Sequence, residues 1–254
     1  MRAATRRLIP LLLGPAALQK LNARLSLRQA AFWIAAQNHP DNYLDPAEQE
    51  ILTKYFDAPP GQQTAPRLLD LFCGAGREAR LLASQGWHVL GLDSAGPIIQ
   101  HNRQTQARLP GGAAIEYQAG VLPAALKTIH APWEAIVICH GMYSTIAGQR
   151  QRRQLMETLA TLTTPGGRIL ISALTRIERQ RYTPTRRKLL SLIGGNSAIQ
   201  SGDVFLAEFL HYFADEQDIL AEIELPVLKM LDHCKQPLPG GDTRHYFVLE
   251  KANA

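Results

Sequence analysis

Between Pro66 and Ala173, short segments with the pattern of buried strands alternate regularly with segments that have helical apolar spacing. The predicted strands cover residues 67–72, 87–93, 114–118, 133–139 and 168–173. Helices are predicted in the intervals between them, where apolar side chains recur every three or four residues. Because strands that alternate with helices pair side by side as a parallel sheet with both faces covered, this pattern predicts an α/β domain.

The end of the chain departs from this alternation. A helix is predicted over residues 215–223, a sixth strand over 225–231 and a seventh over 244–251. The Pro- and Gly-rich segment between the last two strands is too short for a crossover helix, so these strands should form an antiparallel hairpin. The predicted fold class is therefore α/β: a doubly wound seven-stranded sheet, mostly parallel with an antiparallel last strand, plus an N-terminal helical cap.

The predicted cap occupies residues 1–60, and the sheet domain follows over 61–254 with an insertion at about 175–204. Asp45 and Pro46 have the pattern of a helix start. A few short helices cannot bury an apolar stripe by themselves, so the stripe of the cap should pack on the sheet domain. Its members are Leu18, Leu21, Leu25, Phe32 and Trp33.

Positive charge is unevenly distributed along the chain. The net charge of +5 is too small to select among nucleic acid, an anionic membrane and an acidic small molecule. Residues 1–40 contain six Lys and Arg side chains and no Asp or Glu, so contact of the N-terminus with a membrane surface is an alternative to simple packing as a cap. A second cluster is interpreted as a solvated helix face and a charged insertion. It comprises Arg150, Arg152, Arg153, Arg176, Arg179, Arg181, Arg186, Arg187 and Lys188.

Cysteine and hydropathy patterns predict a cytoplasmic protein. Cys73, Cys139 and Cys234 have no paired spacing, which fits a reducing compartment and indicates neither a disulfide framework nor a metal site. No apolar run approaches the roughly 20 residues that a transmembrane helix needs. His, Cys and Asp residues show no metal-ligand spacing, so no metal is predicted.

Three loops should meet at the carboxyl edge of the sheet, where doubly wound folds bind their ligands. Gly74 and Gly76 follow the first strand and allow a sharp turn that a ligand can approach closely. Asp93 ends the second strand, where a carboxylate can accept hydrogen bonds from two ribose hydroxyls. A third loop, residues 139–143, leaves the fourth strand.

These motifs resemble those of class I S-adenosylmethionine-dependent methyltransferases. The resemblance covers about residues 66–252: it rests on the segment Leu68–Gly76, on Asp93, on Pro165-Gly166-Gly167 and on the closing hairpin. It implies S-adenosyl-L-methionine as cofactor and in-line methyl transfer to an O, N or S atom of a small molecule. The cofactor-binding residues that it implies are Asp70, Phe72, Cys73, Gly74, Gly76, Asp93, Ser94, Ile98, Gly120, Val121, Cys139 and His140.

A general base is needed only if the acceptor must lose a proton. His140 and Tyr143 are candidates because they follow the fourth strand and should face the methyl group, and His211 could line the acceptor pocket from the other side. Two alternatives remain open: RNA or another macromolecule as acceptor, and an NAD(P)-dependent oxidoreductase, because residues 74–79 also fit the pattern G-x-G-x-x-A. The small-molecule acceptor is favoured, because the loop after the fourth strand lacks the Asn/Asp-Pro-Pro motif of nucleic-acid amine methyltransferases.

Overall fold

The structure is a computed structural model that describes residues 3–36, 46–58, 65–106, 115–130, 132–178 and 181–253. The strands are β1 (Arg67–Leu71), β2 (His88–Asp93), β3 (Ile115–Ala119), β4 (Trp133–Ile138), β5 (Thr163–Arg176), β6 (Asp203–Phe205), β7 (Phe209–His211), β8 (Leu228–Pro237) and β9 (Asp242–Lys251). The α-helices are α1 (Ala3–Leu12), α2 (Pro15–Ala36), α3 (Pro46–Tyr55), α4 (Arg77–Ser84), α5 (Gly96–Gln106), α6 (Gln149–Leu162), α7 (Pro184–Leu192) and α8 (Glu216–Ile223).

The main sheet confirms the predicted fold class. Among the described residues it has seven strands in the order β3-β2-β1-β4-β5-β9-β8. Strands β1 to β5 pair in parallel, whereas β9 is antiparallel to both of its neighbours. The chain leaves β1 for β2 on one side and returns to β4 on the other, so the carboxyl edge between β1 and β4 is the switch point at which such folds bind ligands.

Apolar cores cover both faces of the sheet. On one face, α6 and α8 contribute Leu155, Met156 and Ile219 to a cluster that reaches the sheet at Ile136 and Phe247. The other face carries α3 and α4, and its cluster contains Leu52, Leu82, Leu68, Val137 and Tyr246. The sheet is therefore buried between two helical layers, which is why its central strands are almost entirely apolar.

Two predicted boundaries are wrong. Residues 165–167 were predicted as a turn before the fifth strand, but β5 already begins at Thr163, which pairs with Trp133. The register then shifts before Arg168, and this irregularity accommodates the Pro-Gly-Gly sequence within the strand. The sixth predicted strand, 225–231, lies instead at 228–237, because this edge strand is half exposed and its polar side chains hide its period.

The helices and hairpin near the carboxyl edge depart further from the predictions. The sequence predicted the cap as short helices without giving the bounds of α1, and it did not predict α7, β6 or β7. On α2, Leu18 packs with Phe205 and Phe209 of the β6–β7 hairpin, as the apolar stripe required. Phe32 and Trp33 do not pack on the sheet domain: their side chains are 66% and 42% exposed and contact each other edge to face.

The second basic cluster is only partly a solvated face. Arg152 is completely buried, and its guanidinium donates to both carboxylate oxygens of Glu222 at 2.7 and 2.9 Å. Arg176 is paired with Asp242 and lies over the ring of Tyr212. These two cations are held by the protein itself, so the interpretation of the cluster as a solvated face is wrong for both.

Candidate functional site

The turn after β1 is formed by backbone that few side chains tolerate. Phe72, Gly74 and Gly76 all have positive φ, at 62°, 47° and 76°. A Cβ on Gly76 would lie 2.3 Å from the hydroxyl oxygen of Tyr117. The glycines therefore satisfy both the left-handed conformation and the close approach of the third strand.

Asp93 ties this turn to the end of β2. Its Oδ2 accepts a hydrogen bond from the backbone N–H of Gly74 at 3.1 Å, and its Oδ1 accepts one from Ala95 at 2.8 Å. Burial raises the pKa of Asp93, although the hydrogen bonds from these backbone donors oppose the shift. Each carboxylate oxygen keeps a further lone pair, so Asp93 can still accept hydrogen bonds from a ligand.

Asp70 is a buried carboxyl group at the same edge. Its side chain is 1% exposed, and Oδ2 has no hydrogen-bond partner among the described residues. Burial, reinforced by the neighbouring carboxylates of Glu78 and Asp93, raises the pKa of Asp70 well above its usual range. An unsatisfied carboxyl oxygen in this position is suited to a ligand that brings a donor or a positive charge.

The loop after β4 is held by a residue of α3. His140 has a φ of 57°, and its backbone N–H donates to Oε2 of Glu48 at 2.9 Å. Glu48 is completely buried, and its other oxygen accepts from Arg77, which also pairs with Glu78. The Arg77 cation compensates the two carboxylates and fixes the His140 backbone in its strained conformation.

A cleft opens to solvent at the carboxyl edge, and the empty space within it and at its mouth is about 410 Å³. One wall consists of residues that follow β1, β2, β3 and β4, and the other consists of α2 together with the turn between β6 and β7. The lining residues are Gln19, Asn22, Ala23, Ser26, Phe72, Asp93, Ser94, Gly120, Val121, Leu122, Met142, Thr145 and Glu208.

The cleft gathers some of the predicted site residues but not all. Those that line it are Phe72, Asp93, Ser94, Gly120 and Val121. Buried nearby, but not lining it, are Asp70, Cys73, Gly76, Ile98 and Cys139, whereas Gly74 forms the partly exposed turn. Burial raises the pKa of both thiols, Cys73 and Cys139, which fits packing rather than nucleophilic chemistry.

The three predicted general-base candidates have different environments. The side chain of His140 is exposed, whereas Tyr143 is fully buried in the apolar core and stacks on Phe213. His211 is also buried, and its Nδ1 lies 2.7 Å from Oδ1 of Asp203. Burial lowers the pKa of His211, partly offset by that contact. The expectation that Tyr143 faces the ligand edge is thus not met.

The sequence reasoning missed the wall formed by α2. Gln19, Asn22, Ala23 and Ser26 follow the spacing i, i+3, i+4, i+7 and form one stripe of the helix. Asn22 anchors it: its amide donates to the carbonyls of Thr145 and Phe209, both at 3.3 Å, and its Oδ1 accepts from the Phe209 N–H at 2.8 Å. The small and polar residues at helical spacing were the sequence signal that could have predicted this wall.

Glu208 was missed as well. It lies in the turn between β6 and β7 and lines the cleft opposite Asp93. Burial raises the pKa of Glu208, and the nearby negative charge of Asp93 adds to the effect. No local motif marks this residue, because only the folding of the hairpin over the carboxyl edge places it in the cleft.

Comparison with known sequences finds similarity in the central part of the chain. Residues 68–167 match the family described as a methyltransferase domain. A ubiquinone biosynthesis O-methyltransferase of Xylella fastidiosa (strain 9a5c) is 32% identical over 140 residues, which is 54% of this chain and 51% of the relative. The chain thus spans about half the length of the curated relatives it matches.

Comparison with solved structures extends over nearly the whole chain. The CcbJ methyltransferase from Streptomyces caelestis matches with a TM-score of 0.61 at 15% identity, covering 90% of this chain and 98% of that one. The N-methyltransferase NodS from Bradyrhizobium japonicum WM9, in complex with S-adenosyl-L-homocysteine, matches with a TM-score of 0.57 at 14% identity, over 91% and 100% of the two chains. At these identities the likeness concerns the fold.

No helix within the described ranges is both long and apolar enough to cross a membrane.

Proposed function

We propose that this chain, whose residues 68–167 match the methyltransferase-domain family, is a class I, S-adenosylmethionine-dependent enzyme that transfers a methyl group to an oxygen atom of a small molecule. The observation that carries the proposal is the cleft at the carboxyl edge, with Asp93 on the sheet wall and Glu208 on the opposite wall. In this proposal the first carboxylate would bind the cofactor and the second would contact the acceptor.

The residues of the edge fit S-adenosylmethionine. Asp93 would accept hydrogen bonds from the ribose hydroxyls, and the turn at Gly74 and Gly76 leaves room for the methionine portion beside it. The buried Oδ2 of Asp70, which lacks a partner in the described part of the chain, would receive a donor. When bound, the cofactor supplies a methyl group on a sulfonium, so no protein nucleophile is required.

A small acceptor is supported by the lining and the charge of the site. Apolar side chains such as Phe72, Leu122 and Met142 line the cleft together with a few polar groups, as in sites that bind small ligands. Arg152 and Arg176, two cations of the second basic cluster, are paired with Glu222 and Asp242 rather than presented to a phosphate backbone. Oxygen is favoured as the acceptor atom, because the curated relatives are named as O-methyltransferases.

Glu208 is proposed as the general base. A carboxylate with a raised pKa is a stronger base than an exposed one, and Glu208 lines the cleft into which the acceptor would enter. It would take the proton of the acceptor hydroxyl as the oxygen bonds to the methyl carbon. Asn22 holds the α2 wall of the cleft against the loop after β4 and the start of β7.

Cofactor binding is tested first, by calorimetry with S-adenosyl-L-homocysteine and with NADH. We expect saturable binding of the former, weakened about 10- to 1,000-fold by Asp93→Ala through the loss of charge-assisted hydrogen bonds. Asp93→Asn retains one acceptor oxygen for the turn and separates a binding loss from a folding loss. Exposed Asp57→Asn serves as the matched control. Tight NADH binding without S-adenosyl-L-homocysteine binding would reject the proposal.

The base is tested by the pH dependence of methyl transfer. Glu208 must be ionised to accept a proton, so the rate should rise with pH. Because the pKa of Glu208 is raised, this rising limb of the pH–rate profile should lie above the usual range of a glutamate. Glu208→Gln should remove this limb and lower kcat by about 10²- to 10⁴-fold. His140→Gln is compared in parallel. If His140→Gln lowers kcat and Glu208→Gln does not, the general base is His140, as the sequence predicted.

The division into a cap over residues 1–60 and a domain over 61–254, with an insertion at about 175–204, stays a proposal. It is supported by the α2 wall of the cleft and by the hairpin that carries Glu208, just beyond that insertion. A cytoplasmic location also stays a proposal, supported by the three free thiols of Cys73, Cys139 and Cys234.

A further inference from the structure

Large apolar side chains are exposed in the helical elements beside the cleft. On α1 they are Leu8 and Leu12, at 51% and 61% exposure. At the end of α7, Leu192 and Ile193 reach 76% and 70%, and Leu189 is exposed as well. Single exposed apolar residues are common on protein surfaces, but a cluster of this kind marks an interaction surface.

Direct contacts join these two helices. The backbone N–H of Asn196, just after α7, donates to the carbonyl of Leu11 at 2.7 Å, and its side-chain amide donates to the carbonyl of Pro10 at 2.9 Å. Leu11 also packs against the buried cluster that contains Leu190 of α7. The inward residues of both helices therefore meet, and their exposed neighbours flank this contact. We name these neighbours the α1–α7 surface: Leu8, Leu12, Leu189, Leu192 and Ile193.

Helical spacing gives each helix a continuous apolar stripe. Leu8 and Leu12 are four residues apart on α1. Leu189, Leu192 and Ile193 are three and four residues apart at the end of α7, while Leu190 between them is buried. A helix with one stripe packed on the protein and a second apolar stripe exposed has a surface that its own fold leaves uncovered.

The exposed charges on the helices of this surface are positive. Neither α1 nor α7 contains an acidic residue. Lys188 on α7 is exposed, and so is Arg181, three residues before this helix begins. The next helix, α2, exposes three cations at helical spacing: Lys20, Arg24 and Arg28. Exposed leucines on helices that carry lysine and arginine but few acids complement a lipid surface with negative headgroups rather than a polar or acidic protein surface.

We propose that the α1–α7 surface binds the surface of an anionic lipid bilayer. The leucine and isoleucine side chains would enter the headgroup region, while Lys188, Arg181 and the cations of α2 would contact lipid phosphates. The proposal goes beyond methyl transfer and does not depend on it. Because α2 follows α1 after only two residues and forms one wall of the cleft, the cleft would lie next to the lipid.

Vesicle co-sedimentation of the full chain tests the proposal. Vesicles of phosphatidylcholine with about 30 mol% phosphatidylglycerol are compared with phosphatidylcholine alone, at about 0.1 M and about 0.5 M salt. We expect binding to the anionic vesicles that weakens at the higher salt, and at least about tenfold weaker binding to the neutral ones.

Paired variants identify the surface. Leu192→Glu with Ile193→Glu should reduce partitioning onto anionic vesicles at least about tenfold, because two apolar groups are lost and two negative charges face the lipid. The control pair, Val227→Glu with Met230→Glu, introduces the same charges at exposed apolar positions next to and within β8 and should leave partitioning within about twofold. Unchanged binding of S-adenosyl-L-homocysteine, or an unchanged Tm if the chain does not bind it, shows that each variant is folded.

Other occupants of the surface would be seen in the same experiment. Equal partitioning of the wild type and the Leu192/Ile193 variant rejects the α1–α7 surface. A dimer that the variant disrupts, measured by light scattering in the absence of vesicle binding, would assign the surface to a second copy of the chain. Salt-sensitive binding to RNA without vesicle binding would assign it to a nucleic acid. Since partitioning is measured without methyl transfer, its result stands apart from the proposed function.

Discussion

The main sheet and the elements that close its carboxyl edge are held together in different ways. In the sheet, β1 and β4 are buried by apolar contacts on both faces, and Asp70 is the single polar side chain that is fully buried within these two strands. At the edge, α2 and the β6–β7 hairpin are joined by a small apolar cluster around Leu18 and by the hydrogen bonds of Asn22. Burial distributed over many residues tolerates single changes better than a few polar anchors do.

The largest expected effect is on a polar anchor that joins both regions. Arg152 on α6 pairs with Glu222 on α8 and also donates to the side-chain oxygen of Gln200, near the hairpin. We expect Arg152→Ala to lower the free energy of unfolding by about 3–5 kcal/mol, because it leaves the buried Glu222 carboxylate without its cation. Urea denaturation measures this loss.

The neighbour Arg153 provides the control, since its side chain is exposed and Arg153→Ala should change the free energy of unfolding by less than about 0.5 kcal/mol. The double variant Arg152→Met with Glu222→Met removes both charges and should recover most of the stability. If the single Arg152→Ala variant costs no more than its control, the two regions are joined by apolar packing alone.

A smaller effect is expected at the anchor of α2. Asn22→Ala removes three hydrogen bonds and leaves the N–H of Phe209 and the carbonyl of Thr145 without partners. The expected loss in the free energy of unfolding is about 1–3 kcal/mol. Lys20→Ala, at an exposed position of the same helix, is the matched control. Amide hydrogen exchange in this variant should become faster in α2 but not in β1 or β4. Equally faster exchange across the whole chain would show that α2 does not open independently of the sheet.

This difference explains what the sequence could predict. The central strands were found because burial on both faces requires apolar side chains over short lengths, and the hairpin between β8 and β9 was found because its connection is short. The edge strand β8 was displaced because exposed strands do not need that composition. In the same way, Phe32 and Trp33 have the apolar pattern of a packed helix and yet are exposed, because periodicity does not show where the partner surface ends.

The site residues fall into the same two groups, those of the sheet and those of the elements at its edge. Asp93 and the glycine turn were predicted because they belong to a local motif at the ends of consecutive strands. Glu208 and the stripe on α2 come from distant parts of the chain, and they meet only after the hairpin has folded against the helix. Glu48 belongs to this group too, since its hold on the His140 backbone crosses 92 residues of sequence.

The smallest expected effect concerns the buried carboxyl group of Asp70 in β1, whose Oδ2 has no hydrogen-bond partner among the described residues. Burial raises the pKa of Asp70 above its value in the unfolded chain. As the pH rises past the unfolded value, the unfolded chain releases its proton while the folded chain keeps it, so stability falls until the folded pKa is passed. Asp70→Asn has no proton to release, and relative to wild type it should gain about 1 kcal/mol between about pH 5 and pH 6.

Thermal unfolding of the ligand-free protein across this pH range measures the gain, with exposed Asp57→Asn as the control that should show none. A sheet optimised only for burial would not contain a carboxyl group whose removal stabilises it, so the gain would identify Asp70 as a residue retained for a ligand. The same variant should then bind S-adenosyl-L-homocysteine more weakly than wild type does. If the variant loses stability equally at both pH values, the Asp70 carboxyl group supports the fold. The sheet would then contain no residue retained for a ligand at the cost of stability.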